Sequence, residues 1–366
     1  MHSPFTLTIN PMERLFLINF EKDPDETYIG FEPQWFDDTT YGTGLRIIAW
    51  RKDGYVDVYQ QPGLTVEKTI DVAANGLADT LIRSMEKARF NVTPSGVDTA
   101  FSFEDKTSRQ VEVEVVEKSQ KPTNPFSLLA PVGSSSANPT ALPVYFMFAF
   151  DFVRRANTQV SIRIDGRSHK ADTFPFPMNG SRVYFMRYSA DTFLVDWCPA
   201  QNKALEPLTE AIGAPLEGDH SRLTDQNGTK CQMAERETEE GRKPPAFASV
   251  CASHNNHTFT AQFQPPFPEI THIPDQSALQ GRFTLGAEAS AGVVSGEYQV
   301  NRRGDEVEVT LHPNGGWEPQ PTTLFLKFFF TAVKLFRQWP KTYRWTAKIK
   351  LHHDAPPYME SKWERI

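Results

Sequence analysis

Apolar residues in this chain recur at every second position across many separate segments. In KTYRWTAKIKL, Tyr343, Trp345, Ala347, Ile349 and Leu351 share one face, while Arg344, Thr346, Lys348 and Lys350 share the other. Side chains on a strand point alternately to opposite faces, so this is the pattern of a half-buried β-strand. EVEVTL repeats it with Val307, Val309 and Leu311, and QVEVEVVE with Val111, Val113 and Val115. QVSIRID (Val160, Ile162, Ile164) and TFTAQFQ (Phe259, Ala261, Phe263) follow suit. So many period-2 runs predict a mostly β, antiparallel protein with few helices, of the kind that closes around cavities.

At 366 residues the chain exceeds what one hydrophobic core usually holds, which predicts two domains. The 27 phenylalanines suit strands and an apolar cavity. A net charge of −7 without a basic stripe argues against nucleic-acid binding. Cys198, Cys231 and Cys251 are odd in number and far apart, so they form neither a disulfide framework nor a CxxC site. Reduced thiols, together with an N-terminus lacking a basic region followed by a continuous apolar run, predict a cytoplasmic protein. Sequons at Asn91, Asn179, Asn227 and Asn256 are then chance matches. His254/His257 and His352/His353 lack the fixed geometry of a helical HExxH, so no metal site is expected. No P-loop, dinucleotide fingerprint or G-x-S-x-G occurs, since Ser295 in GVVSGEYQV has the wrong spacing. No cofactor is expected.

TTLFLKFFFTAVKLFRQW is the most apolar run. It is interrupted by Lys327 and Lys334 and is shorter than the ~20 residues a membrane span needs. As one helix over 322–338 it has a narrow polar stripe of Lys327, Thr331, Lys334 and Gln338, which predicts a helix buried by protein, with an interfacial membrane helix as the alternative. DVAANGLADTLIRSMEKARF shows weaker helical character, with Leu77, Leu81 and Met85 four apart.

The expected organisation is an N-terminal β domain over 1–198, a polar linker or insertion over 199–245 carrying ERETEEGRK, and a C-terminal β domain over 246–366. The loop SQKPTNPFSLLAPVGSSSANPTALP is long enough to serve as a lid or rim.

FSFEDKTSRQVEVEVVEK, FSLLAPVGSSSANPTALPVYFMFAFDFVRR, IRIDGRSHKADTFPFP and RVYFMRYSADTFLVD together resemble lipocalin-like proteins of the AttH and carotenoid 1,2-hydratase type. The resemblance covers layout over most of the chain. It implies two consecutive antiparallel lipocalin-like (calycin) barrels. It also implies an apolar ligand of terpenoid, polyene or polyketide type, and a hydratase, isomerase or cyclase activity without a cofactor. A non-catalytic carrier or sensor, or a scaffold with filled barrels, uses the same architecture.

Alternation singles out the residues able to carry such chemistry. In VYFMFAFDFVRR, Phe146, Phe148, Phe150 and Phe152 oppose Tyr145, Met147, Ala149 and Asp151. A carboxylate among apolar neighbours has its pKa raised and becomes a proton donor, or else Asp151 pairs structurally with Arg154 or Arg155. Arg187 in RVYFMRYS needs a buried carboxylate partner or serves as a ligand clamp, and Tyr188 lies on the opposite face. His169 sits in DGRSHK near Asp165 and Asp172, either as a proton shuttle or as an exposed hairpin residue. Glu32 in YIGFEPQWF shares a face with Tyr28, Gln34 and Phe36, beside a Pro33 that marks an edge strand or bulge. The candidate catalytic residues are Asp151, Glu32 and His169, and the candidate ligand contacts are Tyr145, Arg187, Tyr188 and Trp345. Asp151 and Arg187 are the pair expected to act together.

Overall fold

The computed structural model describes residues 1–65, 75–119, 124–132, 136, 139–178, 180–210, 222–226, 228–236, 241 and 244–366. Strand accounts for 61% of the chain and helix for 6%, so the mostly β expectation holds. The strands run β1 (Leu7–Asn10), β2 (Met12–Asn19), β3 (Tyr28–Asp38), β4 (Gly42–Arg51), β5 (Tyr55–Gln60), β6 (Gly76–Ile82), β7 (Arg89–Thr93), β8 (Gly96–Glu104) and β9 (Gln110–Glu117). Next come β10 (Phe126–Ala130), β11 (Leu142–Arg154), β12 (Thr158–Ile164), β13 (Arg167–His169), β14 (Val183–Trp197), β15 (Asn202–Ala204), β16 (Thr209–Glu210), β17 (Arg222–Thr224) and β18 (Lys230–Glu235). The chain ends with β19 (Pro245–His254), β20 (His257–Pro268), β21 (Ala278–Gly286), β22 (Val293–Arg303), β23 (Glu306–Glu318), helices α1 (Leu324–Ala332) and α2 (Lys334–Gln338), β24 (Tyr343–Lys350) and β25 (Tyr358–Arg365).

Two compact units result. One comprises Pro11–Leu128 and Phe146–Leu194, and the other Met1–Asn10, Leu129–Tyr145 and Val195–Ile366. Neither is a continuous stretch of chain. The segment 199–245, read from sequence as a polar linker or insertion, contributes β15 to β18 to a sheet.

In the first unit the strands β14-β2-β3-β4-β5-β6 of a nine-stranded sheet face the five-stranded sheet β13-β12-β9-β8-β7. Their facing residues form one core, in which Phe16, Ile18, Phe31 and Ile47 meet Val97, Phe101, Val113 and Ile162. Phe31 packs edge-on against Phe101 and Phe103, and Tyr59 stacks on Phe103 at 4.3 Å. The period-2 pattern is thus spent on a sheet-on-sheet interface. One end is closed by polar groups. Arg109 bridges Asp25 and Asp105, while the buried Asp57 accepts from Lys106 Nζ at 2.9 Å and Arg51 Nη1 at 3.2 Å. Asp165 and Gly166 have φ of 50° and 78°, the backbone that an Asp-Gly hairpin demands, and they join β12 to β13.

The other unit is an eleven-stranded sheet, β15-β25-β24-β23-β22-β21-β20-β19-β18-β17-β16. The ten consecutive strands β16 to β25 pair with their neighbours in chain order, so it is an antiparallel meander. Its edge strands β15 and β16 are separated in sequence by residues 205–208 alone, a reach of about 13 Å. The sheet is therefore strongly coiled, although its hydrogen-bonded path stays open. Phe5 fills the coil, with its ring 5.4 Å from Trp197, 4.8 Å from Phe263 and 4.7 Å from Phe267.

Two sequence expectations fail. Residues 76–82, expected to be helical, form β6, which pairs in parallel with β5. Leu77 then packs beside Ile48, Val56 and Val58, so the spacing-four apolar residues serve a sheet. The helix over 322–338 is broken at Val333, whose backbone is extended. Nor is it enclosed: Leu326 and Phe330 are buried, but Leu324 and Phe328 face solvent.

Candidate functional site

The site lies on the outer face of the first unit's larger sheet, opposite its core. Strand register builds it. Arg187 on β14 pairs with Leu17 on β2, and Glu32 on β3 pairs with Ile48 on β4, which pairs with Val58 on β5. The β2–β3 register carries Leu15 to Gln34 and Ile18 to Phe31, which sets Leu17 opposite Glu32. Arg187, Leu17, Glu32, Ile48 and Val58 thus form one row across five strands. The ladder lapses between those two pairs, where Pro33 has no N–H to donate. β3 is a central strand, which excludes the edge and leaves the bulge of the two readings Pro33 suggested. A bulge between Tyr28 and Gly30 also turns Tyr28 to the core face, leaving Glu32, Gln34 and Phe36 outward.

A polar chain follows from this row. Gln34 Nε2 donates to Glu32 Oε1 at 2.7 Å, and Arg46 Nε donates to Gln34 Oε1 at 2.7 Å. The Arg46 guanidinium also lies 4.8 Å over the Phe36 ring. Arg187 Nη1 donates to Asn19 Oδ1 at 3.0 Å, and its guanidinium stacks 4.6 Å over Phe185. Beside Arg187 a cavity of about 230 Å³ opens, lined by Leu17, Asn19, Ile29, Trp50 and Arg187 among others. Gly30 pairs with Asn19 on one side and Trp50 on the other, and a Cβ there would lie 3.0 Å from the Ile18 carbonyl oxygen.

The electrostatics are unusual for a glutamate near two arginines. Burial is the largest influence on Glu32 and raises its pKa to about 7, against the opposing pull of Gln34, Arg46, Trp50 and Arg187. The Trp50 indole N–H is close enough to favour the carboxylate, yet it has no well-aligned acceptor. Burial lowers Arg187, with Glu32 and Glu21 resisting, and the guanidinium remains a cation at neutral pH. Arg187 lines the cavity, so it stays accessible to a small molecule while lying deep among protein atoms. The arrangement joins a carboxyl group that exchanges its proton near neutrality to a fixed cation and an apolar wall.

The other sequence candidates lie elsewhere. Asp151 is buried on β11 and accepts from the Phe152 N–H at 2.8 Å and the Asn124 N–H at 3.3 Å. Burial raises its pKa, and its charged neighbour is Arg154, not Arg187. Among the described residues nothing joins Asp151 to Arg187, and the carboxylates whose charge reaches Arg187 are Glu32 and Glu21. Ala149 has φ of 49°, which breaks the alternation along β11. Tyr188 faces the core, where burial, then Asp151 and Glu117, raise its pKa, and its hydroxyl has no partner among the described residues. His169 is buried and donates from Nδ1 to the Asp23 carbonyl at 2.8 Å. Asp172 instead receives the Glu21 and Lys22 N–H groups. Tyr145 is buried on β11. Trp345 is fully buried in the coiled sheet of the other unit, 6.5 Å from Phe5.

Asn19, Gly30, Arg46 and Trp50 were not singled out from the sequence. Arg46 carried a signal, since a charge between Leu45 and Ile47 in a strand requires a buried acceptor. Two larger depressions, each of about 640 Å³, are more open and lined mainly by exposed polar residues. Neither gathers a buried carboxyl group with a buried cation.

None of the three cysteines is in a disulfide, and burial pushes the Cys231 thiol up to about 12. His257 meets Glu288 at 2.8 Å and His353 meets Asp354 at 3.0 Å. Among the described residues no group of three potential ligands is arranged around a metal position. Comparison of the chain with protein-family models, with curated proteins and with solved structures finds no match in any of the three.

Proposed function

We propose that the protein binds an apolar small molecule carrying one oxygen function and catalyses its hydration, cyclisation or isomerisation by proton transfer from Glu32. Arg187 holds the ligand oxygen, Asn19 fixes Arg187, and Leu17, Ile29 and Trp50 face the apolar part. The observation that carries this reading is the buried Glu32 carboxyl, raised to about 7 and set opposite Leu17, which lines the cavity together with the retained cation Arg187. A general acid works best with a pKa near the working pH. A cavity of about 230 Å³ suits the reacting end of a terpenoid, polyene or polyketide, whose remainder extends past the mouth. No cofactor is part of the proposal. A lipocalin-like plan for both units belongs to the same proposal, supported by the long antiparallel meander and its short edge-to-edge connection. So does a cytoplasmic setting, supported by three cysteines outside any disulfide.

The test is binding and turnover with a panel of terpenoid, polyene and polyketide alcohols and ketones. Arg187→Met is expected to abolish binding. Glu32→Gln is expected to keep binding and to lower turnover on the order of 10²–10⁴-fold. Binding lost in Arg187→Met without any turnover by the wild type would mark a carrier, and binding unchanged in Arg187→Met would refute the site.

A further inference from the structure

Residues 319–341 contain four Lys or Arg and no Asp or Glu, within a chain of net charge −7. The same stretch holds the helices α1 and α2, whose apolar residues split into two sets. Leu326 and Phe330 are buried, with the Phe330 ring 4.9 Å from Trp317 and the Phe336 ring 5.3 Å from it. Leu324 is 87% exposed, Phe328 69% and Leu335 45%. Leu324 and Phe328 are four apart on α1, so they occupy one helix face, with the exposed Lys327 beside them. On α2, Leu335 is flanked by the exposed Lys334 and Arg337, and Lys341 follows, also exposed.

From this surface we infer that α1 and α2 dock the protein onto a bilayer containing anionic lipid. Large apolar side chains held in water are costly, and cations at their flanks reach anionic headgroups while the apolar tips enter the acyl boundary. The charge decides the occupant. A second copy of the same surface would bring like charges together, and a neutral bilayer would leave Lys327, Lys334 and Arg337 without complement. No helix among the described residues is long and apolar enough to cross a membrane, so the contact is peripheral through this surface. The inference is independent of the Glu32 site, because none of its residues lies in that cavity.

The experiment is sedimentation of the full chain with phosphatidylcholine vesicles, with and without phosphatidylserine. Binding is expected only when phosphatidylserine is present and is expected to weaken with salt. Each cation near the surface is worth roughly fivefold in affinity, so K327Q/K334Q is expected to weaken binding roughly 25-fold. Phe328→Ser removes one inserted ring and is expected to cost at least about tenfold. Phe328 is exposed, so unchanged circular dichroism and melting are expected to accompany that loss. Three results overturn the inference: no binding to phosphatidylserine vesicles, equal binding to both vesicle types, or binding unaffected by Phe328→Ser. A concentration-dependent dimer dissolved by Phe328→Ser, without vesicle binding, would assign the surface to a second copy instead.

Discussion

Glu32→Gln should change the pH dependence of stability in a direction fixed by its environment. The Glu32 pKa rises from 4.5 in the unfolded chain to about 7 in the fold, chiefly through burial. Below pH 4.5 both states hold the proton and the group is neutral in its effect. Between 4.5 and 7 the unfolded chain gives up the proton while the folded protein keeps it, so stability falls as pH rises. Above 7 the loss is complete. The interval is 7 − 4.5 = 2.5, and at about 1.36 kcal/mol per pKa unit it amounts to about 3 kcal/mol. Glutamine is close in shape to the protonated acid and still accepts the Gln34 amide hydrogen. Glu32→Gln is therefore expected to match the wild type near pH 4.5 and to exceed it by about 3 kcal/mol at pH 8. Urea unfolding at both pH values, read by hydrogen exchange in β2 to β4 peptides, measures the difference. Removing the Arg187 charge takes away one influence that favours the carboxylate, so Arg187→Met should move the midpoint above that of the wild type. A Glu32→Gln advantage that stays constant with pH, or that shrinks as pH rises, would refute the burial argument.

Arg154→Met is expected to destabilise the first unit by roughly 3–5 kcal/mol, because the side chain of its partner Glu117 is fully buried and would be left with backbone donors alone; a melting temperature within a degree of wild type would count against a structural pair. Gly96→Ala is expected to cost at least 1 kcal/mol, since Gly96 has φ of +126° and a Cβ there would collide with the Glu117 carboxylate; equal urea midpoints would show that Glu117 can shift.

The period-2 runs alone were enough to determine the strand character of 110–117, 159–164, 258–264 and 306–311, because half-burial on a pleated surface leaves a local signature. Turn chemistry was equally local, as at Asp165–Gly166. Residues 76–82 looked helical because their spacing of four fits either element, and only the partner strand β5 settled the matter. Glu32 and Arg187 were visible as charges among apolar residues, but not as partners. Their meeting depends on the register of β14 with β2 and of β3 with β4, and on a bulge that turned Tyr28 inward while leaving Glu32 outward. Asp151 was an equally good partner in sequence and was assigned to Arg154 by position on the sheet. Apolar content likewise announced α1 and α2 but not their exposure, since burial depends on what the rest of the chain supplies to cover them. A one-residue slip in a strand exchanges its two faces, so composition and alternation determine which elements form, while register and packing decide which side chains share a site.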